Sequence, residues 1–373
     1  MYTMHDLDII ACNASYGVGG LGAALAELVE QSRAGGRLDH YYAGMPKAGD
    51  SAGRDVTLAQ WRPLFQMPPL RNRHAWRDFL SADLFDRLVA SLLVAPTAGE
   101  MACTFIGFSG RAYHSFRRAR QLGFDKLVLE SGTPHIDHVW RRHCDAARRY
   151  PFDQSWICEA TRRKYRQEYE LADTILYQSE YTRESLIAGG VPAAKLQRRT
   201  QSVAPRFAPP QNRAATDGFV VVCIGRLQVS KGIPVLIEAF GLIDDPLAEL
   251  ILVGGAATSR MEHYLDACRA KDRRIKLCPG DPLPHLHRAD VLAHPSYEDG
   301  LALSPLEALA CGVPVIVTED TGMKESVMPG QNGYIVPTGD VEALHRRLED
   351  IRRCPLRDTF ELVRRSGKPV VAP

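Results

Sequence analysis

The chain has 373 residues and a formal net charge of +2; 45% of its residues are hydrophobic and 24% are charged. These values are ordinary for a soluble globular protein, and the length favours two domains. No apolar run approaches the roughly 20 residues that span a bilayer, and the polar, acidic stretch from Met1 to Asp8 is unlike a secretory signal. The nine cysteines are scattered without a C-x-x-C pair, so we expect reduced thiols in a cytoplasmic protein.

The two halves of the chain differ in charge. Residues 1–216 carry 28 Lys+Arg against 22 Asp+Glu, a balance of +6, whereas residues 217–373 carry 18 against 22, a balance of −4. An anionic partner such as a membrane surface is one explanation for the basic half, and a basic excess that only maintains solubility is the other. Aromatic residues are not interleaved with the basic clusters, so no nucleic acid is expected. The clusters are Arg117-Arg118, Arg141-Arg142, Arg148-Arg149, Arg162-Arg163-Lys164 and Arg198-Arg199.

The N-terminal half opens with a predicted strand, a glycine-rich loop and a helix. Gly17, Gly19 and Gly22 match the dinucleotide fingerprint G-x-G-x-x-G. The context is imperfect, because four residues separate the predicted strand from Gly17 and because Asp39 precedes the second strand instead of ending it. A loop whose backbone N–H groups approach a ligand phosphate or sugar fits better, with a plain tight turn as the alternative.

His135 follows a predicted strand and the loop sequence Glu130-Ser-Gly-Thr-Pro. Because strand ends in a parallel sheet present ligand groups, a site role is predicted, with a packed histidine as the alternative. Residues 44–75 are rich in Pro, Gly and Arg and are predicted to form a long loop. The other predicted elements of this half are strands at 7–12, 104–108, 126–129 and 172–177 and helices at 23–31, 78–94, 111–121, 141–150, 161–170 and 182–188.

A Pro-rich segment at 206–217 is predicted to be a linker between an N-terminal domain at 1–205 and a C-terminal domain at 218–373. Two successive strand–helix series predict an α/β fold of two Rossmann-like, doubly wound domains that face each other across a cleft. The second series has predicted strands at 219–224, 250–253, 275–277, 291–293 and 313–317 and helices at 234–240, 261–270, 285–289 and 303–310.

Two cations, Arg226 and Lys231, lie five residues apart on the loop between a predicted strand and helix. With the N–H groups of Gly232 and Ile233 they suit a diphosphate that gains charge as a bond to it breaks. Ordinary surface charge is the alternative.

Two carboxylates, Asp299 and Glu307, flank the start of a later helix, eight residues apart. Carboxylates at such positions accept hydrogen bonds from sugar or ribose hydroxyls, and the N–H groups after Gly300 add donors. The alternative is helix capping, with Ser304 as N-cap, Pro305 as first helical residue and Glu307 completing a capping box.

No group of His, Cys, Asp and Glu has metal-ligand spacing in the sequence, so no metal cofactor is expected. A diphosphate leaving group would then be neutralised by Arg226 and Lys231. Neither a G-x-S-x-G element nor a P-loop occurs, which argues against a hydrolase or a kinase.

These residues resemble the "glycosyl transferases group 1" family of retaining, nucleotide-sugar-dependent enzymes. The resemblance is dense over 219–350 and thinner in the N-terminal half. It rests on Gly225-Arg226…Lys231-Gly232-Ile-Pro-Val-Leu-Ile-Glu-Ala-Phe240, on Pro295-Ser-Tyr-Glu-Asp-Gly-Leu-Ala-Leu-Ser-Pro-Leu-Glu-Ala-Leu-Ala-Cys-Gly-Val-Pro-Val315, on Gly322-Met-Lys-Glu-Ser-Val and on Pro329-Gly-Gln-Asn-Gly-Tyr-Ile-Val-Pro-Thr-Gly-Asp340.

The resemblance implies a GT-B fold, whose C-terminal domain holds the nucleotide sugar and whose N-terminal domain holds the acceptor. It implies a metal-independent transfer of a hexose with retention at the anomeric carbon. It leaves open whether residues 355–373 pack back on the N-terminal domain. The implied catalytic residues are Arg226 and Lys231 at the diphosphate, with Asp299 and His135 near the transferred sugar. The implied donor contacts are Gly19, Gly20, Gly300, Leu301, Ala302, Leu303, Glu307 at the ribose, and backbone around Leu283 at the base.

The sequence departs from the family pattern beside the first acid. Asp299 stands where Glu is usual, with Glu298 next to it, and Leu301 and Ala302 replace the usual Phe and Gly. We therefore expect a transferase that uses a UDP- or GDP-sugar and a glycan or lipid-linked glycan acceptor, in the cytoplasm, with or without attachment to the inner membrane face. The alternatives are a nucleotide-sugar binder without catalysis and an NAD-dependent oxidoreductase or epimerase.

Overall fold

The computed structural model describes residues 7–61, 73–96, 102–153, 155–211 and 218–356. The chain forms two compact α/β units. The first comprises Met1–His138, Ser155–Gln178 and Thr182–Ser202, and the second comprises Val139–Gln154, Ser179–Tyr181 and Val203–Pro373. Residues 139–154 and 179–181 thus belong to the second unit, although the predicted boundary assigned them to residues 1–205.

The first unit contains a parallel sheet of seven strands in the order β3-β2-β1-β4-β5-β6-β7. The strands are β1 Leu7–Ser15, β2 Leu38–Met45, β3 Gly53–Asp55, β4 Cys103–Phe108, β5 Lys126–Glu130, β6 Thr174–Tyr177 and β7 Leu196–Arg198. The helices of this half of the sequence are α1 Gly19–Ala34, α2 His74–Leu92, α3 Tyr113–Gln121, α4 Ile136–Arg149, α5 Glu159–Leu171 and α6 Glu180–Ala188. The units divide within α4 and within α6.

The second unit contains a parallel sheet of six strands in the order β10-β9-β8-β11-β12-β13. The strands are β8 Val220–Ile224, β9 Glu249–Val253, β10 Ile275–Leu277, β11 Val291–His294, β12 Val315–Thr318 and β13 Gly333–Val336. The helices are α7 Ile233–Gly241, α8 Ser259–Lys271, α9 Leu283–Arg288, α10 Leu303–Ala310 and α11 Val341–Arg353.

The central strands form because their apolar runs are buried on both faces, as a parallel sheet covered by helices requires. Val221 and Val222 of β8, for example, are fully buried and belong to two different core clusters. In each sheet the strand order reverses beside the first strand of the unit, between β1 and β4 and between β8 and β11. Ligands of such folds bind outside the carboxyl ends of the strands at the reversal. The two parallel-sheet units confirm the predicted α/β fold class.

Several local predictions differ from the structure. β1 extends to Ser15, so Tyr16 alone separates it from Gly17. The predicted loop at 44–75 contains β3, and its residues 62–72 lie outside the described residues. Within the predicted linker, Phe207 is buried in a core cluster of the second unit, and residues 212–217 are not described. Of residues 355–373, predicted as a possible return to the first domain, 357–373 also lie outside the described residues.

Candidate active site

Glycines bring two strand-end loops of the second unit into contact. Gly232 adopts the left-handed conformation, with φ 70°, and caps the N-terminus of α7. A Cβ atom on Gly232 would lie 1.9 Å from the carbonyl oxygen of Pro295, so no larger residue fits there. The loop after β8, which carries Lys231, therefore lies directly against the loop after β11.

Lys231 and Asp299 meet across this contact. The Lys231 Nζ donates to Asp299 Oδ2 at 2.6 Å, and the two side chains are 24% and 18% exposed. His294 Nε2 lies 3.3 Å from the same carboxylate oxygen, although without hydrogen-bond alignment. Burial alone would raise the pKa of Asp299, but the Lys231 ammonium and His294 outweigh it and hold that pKa well below the ordinary carboxyl range. Burial opposes the charge of Lys231, but Asp299 and Glu298 raise the pKa of its ammonium, so both groups are ionised at neutral pH.

The loop after β11 is held by hydrogen bonds on both sides. Ser296 Oγ donates to the Glu298 carbonyl at 2.6 Å, and the Tyr297 N–H donates to the Ser230 carbonyl at 2.8 Å. From the opposite side, Thr318 Oγ1 donates to the Ser296 carbonyl at 2.5 Å. These bonds fix the backbone that presents the Asp299 carboxylate.

Glu298 and Asp299 point to different partners. Glu298 is 5% exposed, and its Oε1 lies 3.2 Å from Nε2 of His143, which is 4% exposed. His143 lies on the part of α4 that belongs to the second unit. The sequence left open which of the two acids contacts a sugar; in the structure Asp299 faces Lys231 and Glu298 is engaged by His143.

Arg142, next to His143 on α4, supports the same loop. Its guanidinium donates to the Tyr297 carbonyl at 3.3 Å and forms an ion pair with Asp320. Thr338 Oγ1 donates to the same Asp320 carboxylate at 2.7 Å. The sequence prediction missed Arg142 and His143, because both lie on an amphipathic helix and neither belongs to a recognisable motif.

The start of α10 corrects the capping prediction. The helix begins at Leu303, and its N-cap is Ala302, which has no capping side chain. Ser304 is not the N-cap: its hydroxyl donates to the Ile224 carbonyl at the end of β8, 3.2 Å away. Pro305 is the third helical residue instead of the first, and Glu307 is the fifth, so a capping box does not form. A tertiary hydrogen bond has taken the place of the local cap.

Polar groups near the start of α10 are left available to a ligand. No backbone hydrogen bond from the N–H groups of Gly300, Leu301 and Ala302 is formed within the described residues. The carboxylate of Glu307 likewise makes no hydrogen bond to the described part of the chain. Burial raises its pKa to about 6, with Arg206 opposing this rise and Asp281 adding to it.

The other predicted donor contacts of the second unit are partly engaged. Arg226 is exposed at the end of β8. Leu283 begins α9, and its N–H donates to the Asp281 carboxylate at 3.2 Å, so the turn before α9 is closed by a side chain. Arg206 pairs with the same Asp281 at 3.0 Å.

The glycine-rich loop of the first unit leads directly into α1. Gly17 and Gly19 have positive φ, at 72° and 66°. Gly22 is needed for close packing, because a Cβ there would lie 2.1 Å from the Ser15 carbonyl oxygen. Gly19 and Gly20 are exposed, and α1 begins at Gly19 without a capping side chain.

His135 is packed within the first unit, immediately before α4. It is 4% exposed, its N–H donates to Ser185 Oγ at 2.9 Å, and its ring lies 5.1 Å from that of Tyr169. A Cβ on Gly189 would come within 2.4 Å of the His135 ring. The structure therefore shows a packed histidine, and its predicted place near the transferred sugar stays a prediction.

One cluster in the described part of the chain has the composition of a metal site. Ligand atoms of Asp83, Asp86 and His114 lie within 4.8 Å of one another. The Lys164 ammonium sits 2.9 Å from Asp83 and 2.8 Å from Asp86, so a cation of the protein already balances these acids. Asp86 also caps α3 by accepting from the N–H groups of His114 and Ser115.

Comparisons with known proteins show which proteins the chain resembles in sequence and in fold. Residues 206–366 match the family model described as "Glycosyl transferases group 1". The chain is 32% identical over 218 residues to the D-inositol 3-phosphate glycosyltransferase of Salinispora tropica, a match covering 52% of this chain and 44% of the relative. It is 33% identical over 214 residues to the GDP-mannose-dependent alpha-(1-6)-phosphatidylinositol monomannoside mannosyltransferase of Mycolicibacterium smegmatis, covering 50% and 54%. The matched region thus spans about half the length of these curated relatives.

Solved structures extend the likeness to the whole chain. The sucrose-phosphate synthase of Thermosynechococcus elongatus superposes with a TM-score of 0.70 at 17% identity, over 96% of this chain and 94% of that one. HepE of Anabaena, solved in complex with UDP and glucose, superposes with a TM-score of 0.65 at 16% identity, over 98% and 96%.

None of the described helices is both long and apolar enough to cross a bilayer. The two parallel-sheet units and these neighbours confirm the GT-B architecture. The matched residues 206–366 include Lys231, Asp299 and Glu307. By this match and by the curated relatives, residues 206–366 are similar to the glycosyl transferases group 1 family.

Proposed function

We propose that the protein transfers a hexose from a UDP- or GDP-sugar to a glycan or lipid-linked glycan acceptor, with retention at the anomeric carbon. The observation that carries the proposal is the arrangement beside the strand reversal of the second unit. There a paired ammonium, three N–H groups at a helix start and a carboxylate lie near the ends of β8 and β11, and neither these N–H groups nor this carboxylate is hydrogen-bonded to a described residue. Cations and N–H groups at such a position bind phosphates, and the carboxylate suits ribose hydroxyls.

In this proposal Lys231 and Arg226 stabilise the departing nucleoside diphosphate. The developing negative charge is met by an ammonium that is ionised and already oriented, so little reorganisation accompanies bond cleavage. Asp299 holds the Lys231 ammonium at 2.6 Å and would share it with the diphosphate when the donor binds. Because two cations supply the charge, no divalent ion is required, and full activity in excess EDTA is expected.

Glu307 is the proposed ribose ligand. Its carboxylate has no hydrogen-bond partner among the described residues, and burial raises its pKa to about 6, so the group is mainly ionised at pH 7. An ionised carboxylate accepts two hydroxyl hydrogen bonds, which matches a ribose diol.

Two kinds of relative support the substrate classes. The Mycolicibacterium smegmatis relative is named as dependent on GDP-mannose, and HepE was solved with UDP and glucose. The AmsK relative of Erwinia amylovora is named an amylovoran biosynthesis glycosyltransferase. We place the acceptor on the first unit and propose peripheral attachment to an anionic membrane face. Co-sedimentation that does not respond to anionic lipid would rule out the attachment.

A donor panel scored by release of UDP or GDP tests the central proposal. Lys231→Ala and Glu307→Ala should each lose transfer by at least about a hundredfold while remaining folded, since each removes a charged contact to the donor. Lys276→Ala, which removes an exposed lysine from β10 of the same unit, and Glu342→Ala, exposed on α11, are matched controls that should retain activity. Full activity in both site variants would refute the proposal.

A nucleotide-sugar binder without catalysis is the second candidate, because Asp299 and Ala302 depart from the usual family residues. The same panel separates the two. A silent binder would show a donor-dependent thermal shift that Lys231→Ala abolishes, yet would release no nucleotide from any donor and acceptor.

A further inference from the structure

The first unit has its own strand reversal, between the adjacent strands β1 and β4. Asn13 lies near the carboxyl end of β1, and Ser109 and Arg111 follow the end of β4. We propose that this edge binds an anionic group, a phosphate or carboxylate, on the acceptor, and that Arg111 is its ligand. The inference rests on the proposed transferase function, since it assigns the acceptor class of that reaction.

The guanidinium of Arg111 is fixed in place by neutral groups. Its Nε donates to the Asn13 side-chain oxygen, and its Nη1 donates to the Ser109 carbonyl at 2.9 Å. Within the described residues its Nη2 donates to nothing, and no carboxylate lies within ion-pair distance of it. Arg111 is nevertheless partly buried.

Two other arginines of the first unit, the buried Arg199 and the half-buried Arg162, are paired with acids. Arg199 bonds to Glu130 at 3.0 Å and to Glu27 at 2.7 Å, and Arg162 bonds to Asp137 at 2.8 Å. A cation withdrawn from water without a counter-ion costs folding free energy. At Arg111 the missing negative charge would be supplied by a ligand.

The N-terminus of the nearby helix α3 is not available to bind an anion. Its first N–H groups are already occupied: Glu168 accepts from Ala112 at 2.9 Å and from Tyr113 at 3.2 Å. Burial raises the pKa of Glu168 to about 7, so this acid carries only part of a negative charge at neutral pH and offsets Arg111 weakly. The positive charge at this edge is therefore that of the guanidinium.

A second feature at the same edge also favours an anion. The glycine loop that follows β1 opens α1, a helix of 16 residues with no acid in its first turn and no side-chain cap. Its first N–H groups stay available at the exposed Gly19 and Gly20. The Arg111 guanidinium and the uncapped start of α1 thus both lie at the carboxyl ends of strands beside the reversal. In a sheet of this topology that edge is where ligands bind, and here the ligand would be the acceptor.

Calorimetric titration of the intact protein with glucose 6-phosphate, glucose and inorganic phosphate tests the inference. We expect glucose 6-phosphate to bind at least about tenfold more tightly than glucose, because charge-assisted hydrogen bonds are the stronger ones. Arg111→Gln should remove that advantage. Arg118→Gln, which removes an exposed cation from the helix α3 that follows Arg111, should keep it.

Asn13→Asp provides a variant that retains the arginine. The new carboxylate would sit where Arg111 Nε now donates to an amide oxygen, so it would neutralise the guanidinium while preserving the contact. We expect the same loss of phosphate affinity as in Arg111→Gln. Unchanged affinity in a folded Asn13→Asp protein, or an equal loss in Arg118→Gln, would overturn the inference.

Lys231→Ala separates this site from the donor site, which also attracts phosphate. Glucose 6-phosphate binding that survives Lys231→Ala and is lost in Arg111→Gln supports the inference, and the reverse pattern overturns it. If no donor is turned over at all, the proposed function fails while the phosphate titration still decides the Arg111 site.

A second ligand shows whether the anionic group belongs to a free sugar phosphate or to a lipid-borne phosphate. A prenyl phosphate in detergent micelles is titrated beside glucose 6-phosphate. Arg111-dependent binding of the soluble ester supports a free sugar phosphate, and Arg111-dependent binding confined to the micellar ligand supports a lipid-borne phosphate. Binding of neither ligand overturns the inference.

Discussion

Each unit presents a cation beside the strand reversal of its parallel sheet, after the first strand in the second unit and after the neighbouring strand in the first, and the two cations have opposite kinds of partner. In the second unit Lys231 is paired with the carboxylate of Asp299. In the first unit Arg111 is held by the amide oxygen of Asn13 and a backbone carbonyl. A cation that is already paired with an acid does not destabilise the ligand-free protein, but it contributes less binding free energy when an anion arrives. A cation without an acid partner destabilises the ligand-free protein more and contributes more binding free energy.

This difference fits the proposed transferase, which must release a nucleoside diphosphate and hold an acceptor. A diphosphate that is bound too tightly would leave slowly, and Asp299 supplies a competing counter-ion inside the site. At Arg111 no carboxylate of the described residues competes with a ligand for the guanidinium. The proposed affinity of Arg111 for an anionic group is therefore not reduced by a counter-ion of the protein.

The largest expected effect comes from the buried pair beneath the Asp299 loop. His143→Ala leaves Glu298 as an unpaired carboxylate at 5% exposure. Leaving a buried charged group without its hydrogen-bond partner costs about 3 kcal/mol, so we expect a loss of that order in the free energy of unfolding measured by urea titration. The double variant His143→Ala/Glu298→Gln should recover part of the loss, and a loss below about 1 kcal/mol in the single variant would show that this contact does not support the loop.

Asp299→Asn should have the next largest effect. It leaves the Lys231 ammonium unpaired in a partly buried place, which we expect to cost about 2 kcal/mol, less than for a fully buried pair. Because the pKa of Asp299 is lowered in the folded state, its contribution is present above the ordinary carboxyl range and is lost as the pH falls through it. The stability gap between wild type and variant should therefore narrow below about pH 4. A gap that is constant from pH 3 to pH 7 would argue against the ion pair.

Glu307→Gln should stabilise the protein while weakening donor binding. The folded state raises the pKa of Glu307 from 4.5 to about 6, so it holds the proton more tightly than the unfolded state does. Ionisation as the pH rises through this window therefore costs folding free energy, on the order of 1–2 kcal/mol at pH 7. The melting temperature of ligand-free Glu307→Gln should exceed that of wild type at pH 7 and equal it at pH 4. An equal or lower melting temperature at pH 7 would contradict this account.

Arg111→Gln should have the smallest effect on stability. It loses two hydrogen bonds to neutral acceptors but also removes an uncompensated charge, so we expect a change within about 1 kcal/mol. A loss as large as that of Asp299→Asn would mean that Arg111 is already compensated, and the contrast between the two units would disappear.

The sequence predicted the fold where the determinants are local. Apolar runs located the buried strands, and because strand ends of a parallel sheet converge, Lys231 and Asp299 could be placed at the same edge of the sheet, where the structure has them in contact. The capping prediction at Ser304 was wrong, since the Ile224 carbonyl on a distant strand competes for the hydroxyl. His143 could not be found because its partner lies 155 residues away and nothing in the local pattern marks it.

The division of α4 between the units has a consequence during synthesis on the ribosome. His143 is made 155 residues before Glu298, a delay of about 8–30 s at 5–20 residues per second. During that interval the side chains of 139–149 that the second unit buries have no sheet to cover them, and chaperones can reach them. The second unit therefore cannot be completed before Glu298 has been made, and a chain beginning at Val203 would lack the helix segment that supports its own Asp299 loop.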